Sequence, residues 1–116
     1  MQLKTNNTIG AVYISNNVIA EIAGAVTTDC YGVVGMAAQN MKDGLTSLIK
    51  SDITRGVNVT VQSNGIVVDI HIIVRYGVNI NAICKSIVNR VRYALESGVG
   101  VNVNRINVRV QGVKQN

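Results

Sequence analysis

The chain has 116 residues and a net charge of +5, and nearly half of it is apolar although it contains no Phe, no Trp and no Pro. That length makes one domain, residues 1–116, able to bury roughly two-thirds of the surface its unfolded chain exposes. No stretch approaches the ~18 uninterrupted apolar residues of a membrane span, and the start M-Q-L-K-T-N-N-T-I-G lacks the apolar run of a secretion signal. The core must come from Val, Ile, Leu and Ala, with Tyr13, Tyr31, Tyr76 and Tyr93 as the aromatics, and so many β-branched residues favour strands.

An initial strand is expected over Thr8–Ile14. The first helix follows in S-N-N-V-I-A-E-I-A-G-A-V-T-T-D-C-Y-G, where Ser15 caps the orphan N–H groups and Gly32 supplies a left-handed stop. Ile19, Ile22, Ala23, Val26 and Cys30 recur at helical spacing, while Ala20 and Gly24, one turn apart, leave a smooth patch for close packing. Residues 33–56 are punctuated by glycine and read as loop, with a short helix started by Asp43.

The next signal is a hairpin. V-N-V-T-V-Q-S and I-V-V-D-I-H-I-I-V-R-Y flank Asn64-Gly65, a favoured pair for a two-residue type I′ turn. That turn sets Val61 opposite Val68, Val59 opposite Ile70 and Val57 opposite Ile72, with His71 facing Asn58 and Asp69 facing Thr60. Residues 66, 68, 70, 72, 74 and 76 form the buried row. Asp69, His71, Ile73 and Arg75 lie on the opposite, open side.

A second helix runs from its cap Asn79 to Gly98, with Ile80, Ile83, Cys84, Ile87, Val88, Val91 and Leu95 as its apolar stripe. In the final strand, V-N-V-N-R-I-N-V-R-V-Q-G-V, the apolar phase switches from odd to even, so a bulge is expected near Asn104-Arg105. Arg105, Asn107, Arg109 and Gln111 then share its polar side. The order β-α-β-β-α-β, with a right-handed crossover into the last strand, gives an α+β two-layer sandwich: a mixed sheet with both helices on one face.

His71 beside Asp69 invites a catalytic or metal reading. A triad needs a nucleophile within reach and a pocket that excludes water. Ser63 falls at the turn in the buried phase, and Thr60 sits on an open face without oxyanion donors. A metal would want more than one His and one carboxylate. G-V-V-G and G-V-G each follow a helix, whereas phosphate loops precede one. Cys30 and Cys84, in phase with apolar positions and without a C-x-x-C, read as buried free thiols of a reducing cytoplasm. No catalytic residue, metal ligand or cofactor motif emerges, and the protein is expected not to be an enzyme. The candidate interaction face is Asp69, His71, Ile73, Arg75, Arg105 and Arg109. Its mixture of arginine and apolar surface suits protein contacts, including self-association. The scattered cations also allow nucleic acid, and the outline is similar to that of RNA-binding KH domains, although this face carries no aromatic on which bases would stack.

The blocks I-S-N-N-V-I-A-E-I-A-G-A-V, Y-G-V-V-G-M, V-R-Y-G-V-N-I and I-N-V-R-V-Q-G-V, in that order from about Ile9 to Val113, resemble the alkaline shock protein family of Gram-positive bacteria. N-V-R-V-Q-G-V at 107–113 and Y-G-V-N-I at 76–80 are the most specific. Asp29 stands where members usually have glutamate, the segment Gln39–Thr54 is less family-like, and the second helix is more basic than usual. The resemblance implies a cytoplasmic protein of envelope stress and homeostasis, without established catalytic residues. Some members work at the inner face of the membrane through a separate anchor protein, and others are tied to fatty-acid metabolism. The partner it implies is a membrane-anchor protein, beside the further copies of the chain that the candidate face itself suggests.

Overall fold

The computed structural model describes residues 2–5, 12–37, 48–49 and 53–115. The strands are β1 (Gln2–Thr5), β2 (Val12–Ser15), β3 (Val33–Ala37), β4 (Leu48–Ile49), β5 (Val57–Gln62), β6 (Gly65–Arg75) and β7 (Val103–Lys114), and the helices are α1 (Asn16–Thr28) and α2 (Ile80–Tyr93). The class is α+β, as expected, but the order is richer than β-α-β-β-α-β. The first strand begins at Val12 and pairs antiparallel with β1 in a small separate sheet, so it is not a member of the main one; Thr8–Ala11 lie outside the described residues.

β6 organises the main sheet. One of its edges pairs in parallel with β7 along almost its whole length. Its other edge is shared: β5 takes the first half and β3 the second, both antiparallel, and β4 pairs beyond β3. The sheet is therefore mixed. Gly56 sits where β5 and β3 meet along that edge. A Cβ there would lie 2.9 Å from the Met36 Cβ and 3.0 Å from the His71 carbonyl oxygen, so a side chain would push the strands apart.

Residues 33–37 are thus a strand and not the expected loop. Gly35 and a bulge at Val34 interrupt the alternation that would mark it. Leu48–Ile49 is likewise strand, not helix, and Asp43, the proposed helix start, lies outside the described residues.

α1 forms as its sequence dictates. Ser15 is extended, and its hydroxyl accepts from the Val18 N–H at 3.2 Å, a cap worth about 1 kcal/mol. Ile19, Ala20, Ala23, Gly24 and Thr27, one helical stripe, are buried. The helix ends at Thr28, earlier than expected, and Gly32 takes its left-handed conformation in the turn into β3. α2 is capped by Asn79, whose side chain accepts from the Ala82 N–H at 3.0 Å. It passes into a π-helical segment, Ala94–Val99, closed by left-handed Gly100 rather than by Gly98. Leu95 is fully buried at the start of that segment, and its carbonyl accepts from both Gly100 and Val101. The extra residue per turn lets the chain swing directly into β7.

Both helices pack on one face of the sheet. Ile19 and Ala23 of α1 and Ile83, Ile87 and Val91 of α2 form a single cluster with Ile66, Val68, Ile70, Ile72 and Val74 of β6. Val59 and Val61, expected in the core, are half-buried because β5 lies at the sheet's edge. Cys30 is buried and Cys84 only half-buried, both as free thiols.

The hairpin register differs by two residues from expectation. Val61 pairs with Ile66, Val59 with Val68 and Val57 with Ile70, while Asn58 faces Asp69. The turn is Ser63-Asn64, and Gly65 is already strand. Gly65 is required for another reason: a Cβ would lie 2.6 Å from the Asn102 carbonyl oxygen, where the chain entering β7 crosses it. Amides lock this corner. Asn104 Nδ2 donates to Gln62 Oε1 and to Asn64 Oδ1, both at 2.9 Å, and Asn102 Nδ2 donates to the Asn64 carbonyl. A shift by two preserves the side-chain phase, so Ile66, Val68, Ile70, Ile72 and Val74 are buried as expected, but Tyr76, the last of the expected row, is exposed because the strand ends at Arg75.

Candidate functional site

The parallel pairing of β6 with β7 builds the open face. Its rungs are Val67 beside Arg105, Asp69 beside Asn107, His71 beside Arg109, Ile73 beside Gly112 and Arg75 beside Lys114. All six expected site residues thus share the sheet face opposite the helices. The expected bulge is at Asn104, between the Val103 and Arg105 rungs, and it turns Arg105 outward. A second bulge, at Gln111, was not legible in the sequence.

Ile73 is a correction. It is only 4 % exposed, so it contributes no apolar contact surface to the face. Bulges flank its rungs on both edges of β6, at Val34 and Gln111. Asp69 and His71, expected to be largely exposed, are half-buried, whereas Asn58, Thr60, Arg75, Arg105 and Arg109 are exposed.

Two of the polar groups of the central rungs, Asp69 and His71, have side-chain partners. Asn107 Nδ2 donates to Asp69 Oδ1 at 2.8 Å. Gln111 Nε2 lies 3.0 Å from His71 Nδ1; when the amide donates there, the neutral ring keeps its proton on Nε2. The His71 pKa is lowered, first by burial and then by the Arg109 cation, with Asp69 pulling the other way. A neutral histidine beside a cation, with its Nδ1 occupied, is poorly set for triad chemistry. Ser63 stands exposed in the turn, not in the buried phase. Among the described residues no three of His, Cys, Asp and Glu come close enough to hold a metal, and no helix is long and apolar enough to cross a membrane.

The face is strongly positive. Arg75, Arg105, Arg109 and Lys114 are exposed on or beside it, and its carboxylate, Asp69, already accepts from Asn107. Lys114 belongs to this set but escaped the sequence reading, because the Gln111 bulge brings it beside Arg75. Tyr31 and Tyr76 were missed as well. They are 80 % and 65 % exposed and stand at the same end of the sheet, where the Arg75 N–H donates to the Gly32 carbonyl at 2.9 Å. The recurring tripeptide Y-G-V, at 31–33 and 76–78, was the available signal: both glycines have φ +88°.

On the helix side, Arg90 joins α2 to the end of α1, reaching Asp29 Oδ2 at 2.9 Å and Cys30 Sγ at 3.5 Å. The basic character of α2 and the aspartate at 29 are thus used partly within the molecule. Both side chains are well exposed, so the pair contributes little to stability.

Residues 4–115 match the model of the alkaline shock protein 23 family, described as having a cell envelope-related function. The chain is 40 % identical over 116 residues to the uncharacterized protein YloU of Bacillus subtilis (strain 168), covering 98 % of this chain and 97 % of that one. It is 39 % identical over 116 residues to the uncharacterized protein Spy1614 of Streptococcus pyogenes serotype M6, at 98 % and 96 % coverage. A more distant relative, the uncharacterized protein YqhY of Bacillus subtilis, is 27 % identical over 106 residues, 91 % of this chain and 78 % of its own. No solved structure matches significantly. The resemblance carried by Y-G-V-N-I and N-V-R-V-Q-G-V therefore holds over nearly the full length, and the chain belongs to the alkaline shock protein family, whose function is cell envelope-related.

Proposed function

We propose that the chain is a non-catalytic interaction protein of the cell envelope, acting through protein contacts on the open face of its sheet. The observation that carries this reading is the accumulation of Arg75, Arg105, Arg109 and Lys114 around one half-buried, already bonded carboxylate, on the face opposite both helices. Arginine gives up water more readily than an ammonium does, which favours it at interfaces. The contacts are with a partner protein, including one anchored in the membrane, or with further copies of the chain. The place of action is the cytoplasm or, through such an anchor, the inner face of the membrane.

The test is the double substitution Arg105→Glu with Arg109→Glu, compared with wild type by sedimentation and by partner capture. Loss of association with the fold intact supports the reading, and unchanged association leaves the face as solvated surface. A salt titration against single-stranded RNA and an unrelated polyanion separates the nucleic-acid alternative. Tight binding to RNA alone, with a steep salt slope, would overturn protein docking in its favour.

A further inference from the structure

β6 sends its even-numbered backbone groups toward β7. Ile66 donates to the Asn102 carbonyl at 3.0 Å and Tyr76 to the Lys114 carbonyl at 2.9 Å, whereas Arg75 donates the other way, to Gly32. In a parallel pair only one residue of each rung bonds across it. The partners of Ile66, Val68, Ile70 and Ile72, which are Val103, Ile106, Val108 and Val110, therefore turn their own N–H and C=O groups to the outer edge of β7.

The first of these is already occupied. The Val103 N–H donates to Glu96 Oε2 at 3.3 Å, and its carbonyl accepts from Arg92 Nη1 at 2.8 Å. Two side chains from the end of α2 thus do for Val103 what a neighbouring strand would do. Ile106, Val108 and Val110 have no such cover: among the described residues no strand pairs with this edge. The bulges at Asn104 and Gln111 bracket them, leaving a short, regular, proline-free edge.

Its side chains say what fits there. Toward the helices it presents Ile106, Val108 and Val110, the two valines half-buried; toward the open face it presents the exposed Arg105 and Arg109. A second copy is poorly matched, since β7 contains cations and no carboxylate, and any pairing of β7 with itself sets arginine against arginine or a neutral residue. Like charges across a rung destabilise a sheet and opposite ones stabilise it. We propose that the Ile106–Val110 edge of β7 receives a short extended segment of a different protein, with acidic residues beside Arg105 and Arg109 alternating with apolar residues beside the valines. This deepens the protein-docking reading and rests on it.

The probe is a short capped peptide of alternating Glu and Val, with a Lys–Val peptide as its counterpart, added to the full chain and followed by NMR amide exchange. The Glu–Val peptide is expected to slow exchange at Ile106, Val108 and Val110. The double variant Arg105→Gln with Arg109→Gln, which keeps the strand's polarity, is expected to bind it roughly twofold to thirtyfold more weakly, the range for two lost cross-strand charge pairs. Equal affinity for both peptides, or no slowing at those three amides, overturns the proposal. Slowing there without peptide, together with dimers in sedimentation, also overturns it, by making a second copy the occupant. Peptide shifts confined to Asp69 and His71 would sink the edge alone and leave face docking standing, whereas unchanged association of the Arg→Glu variant would count against both.

Discussion

The two rows of β6 are made by one strand and follow different physics. The even row, Ile66 to Val74, is fully buried under both helices, and its residues are interchangeable in kind: each is a branched aliphatic filling one cluster. The odd row is a sequence of individuals. Asp69 is bonded to Asn107, His71 sits beside Arg109 and Gln111, Arg75 is exposed, and Ile73 is buried among them. Burial sets the even row by area alone, whereas each odd position depends on what its neighbouring strands do.

The largest effects should test that contrast. Ile70→Ala removes a fully buried side chain from the cluster and is expected to cost ~2–5 kcal/mol in denaturant unfolding. Ile73→Ala, on the other row, is expected to cost nearly as much because Ile73 is also buried, whereas Thr60→Ala on the exposed part of that face should stay within about 0.5 kcal/mol. If Ile73→Ala proved as mild as Thr60→Ala, the open face would be uniform after all.

The same contrast explains how much could be read from the chain. Period-two alternation located the even row, helical spacing and caps located both helices, and the phase switch in β7 located the Asn104 bulge, because each depends on local spacing. Ile73 shares the phase of the open face yet is buried, which alternation alone does not signal, and the Gln111 bulge leaves no mark beyond a glycine. β3 was missed for a related reason: with Gly35 and the bulge at Val34 it lacks alternation, and its strand character comes from pairing with distant β6. The hairpin turn was misassigned because Gly65 satisfies two demands. Asn-Gly suits a type I′ turn, but the approach of Asn102 uses that glycine within the strand. At the face, the Arg and His residues were legible as a row; Lys114 was not, since the Gln111 bulge brings it beside Arg75.

Gly65→Ala separates those two demands. A Cβ would press on the Asn102 carbonyl oxygen and the Asn104 side chain, and the expected loss is about 1–3 kcal/mol, the range for overpacking. Asn64→Ala, at the turn itself, should cost less. Next in size is Asn79→Ala, which removes the α2 cap and should lower stability by about 1 kcal/mol, measured as a shift in the denaturant midpoint at unchanged slope.

The smallest effect belongs to His71 and is visible only as a pH dependence. Its folded pKa lies below the ordinary value of 6.5 through burial and the Arg109 cation. In the window between the two values the unfolded chain binds more protons than the folded one, so stability rises with pH there. It levels off above the unfolded value and falls as the solution is acidified through that window. His71→Gln removes this proton linkage, so the wild-type and variant stability curves should run parallel at neutral pH and diverge below about 6.5, with the wild type falling faster. An acidic partner bound beside Arg109 would offset the cation's effect and raise the His71 pKa, so wild-type binding should take up protons and strengthen on mild acidification. Denaturant unfolding across pH 5 to 8, roughly the range in which histidine titrates, measures the first effect. A wild-type curve no steeper than that of His71→Gln would show that burial on the open face does not reach His71.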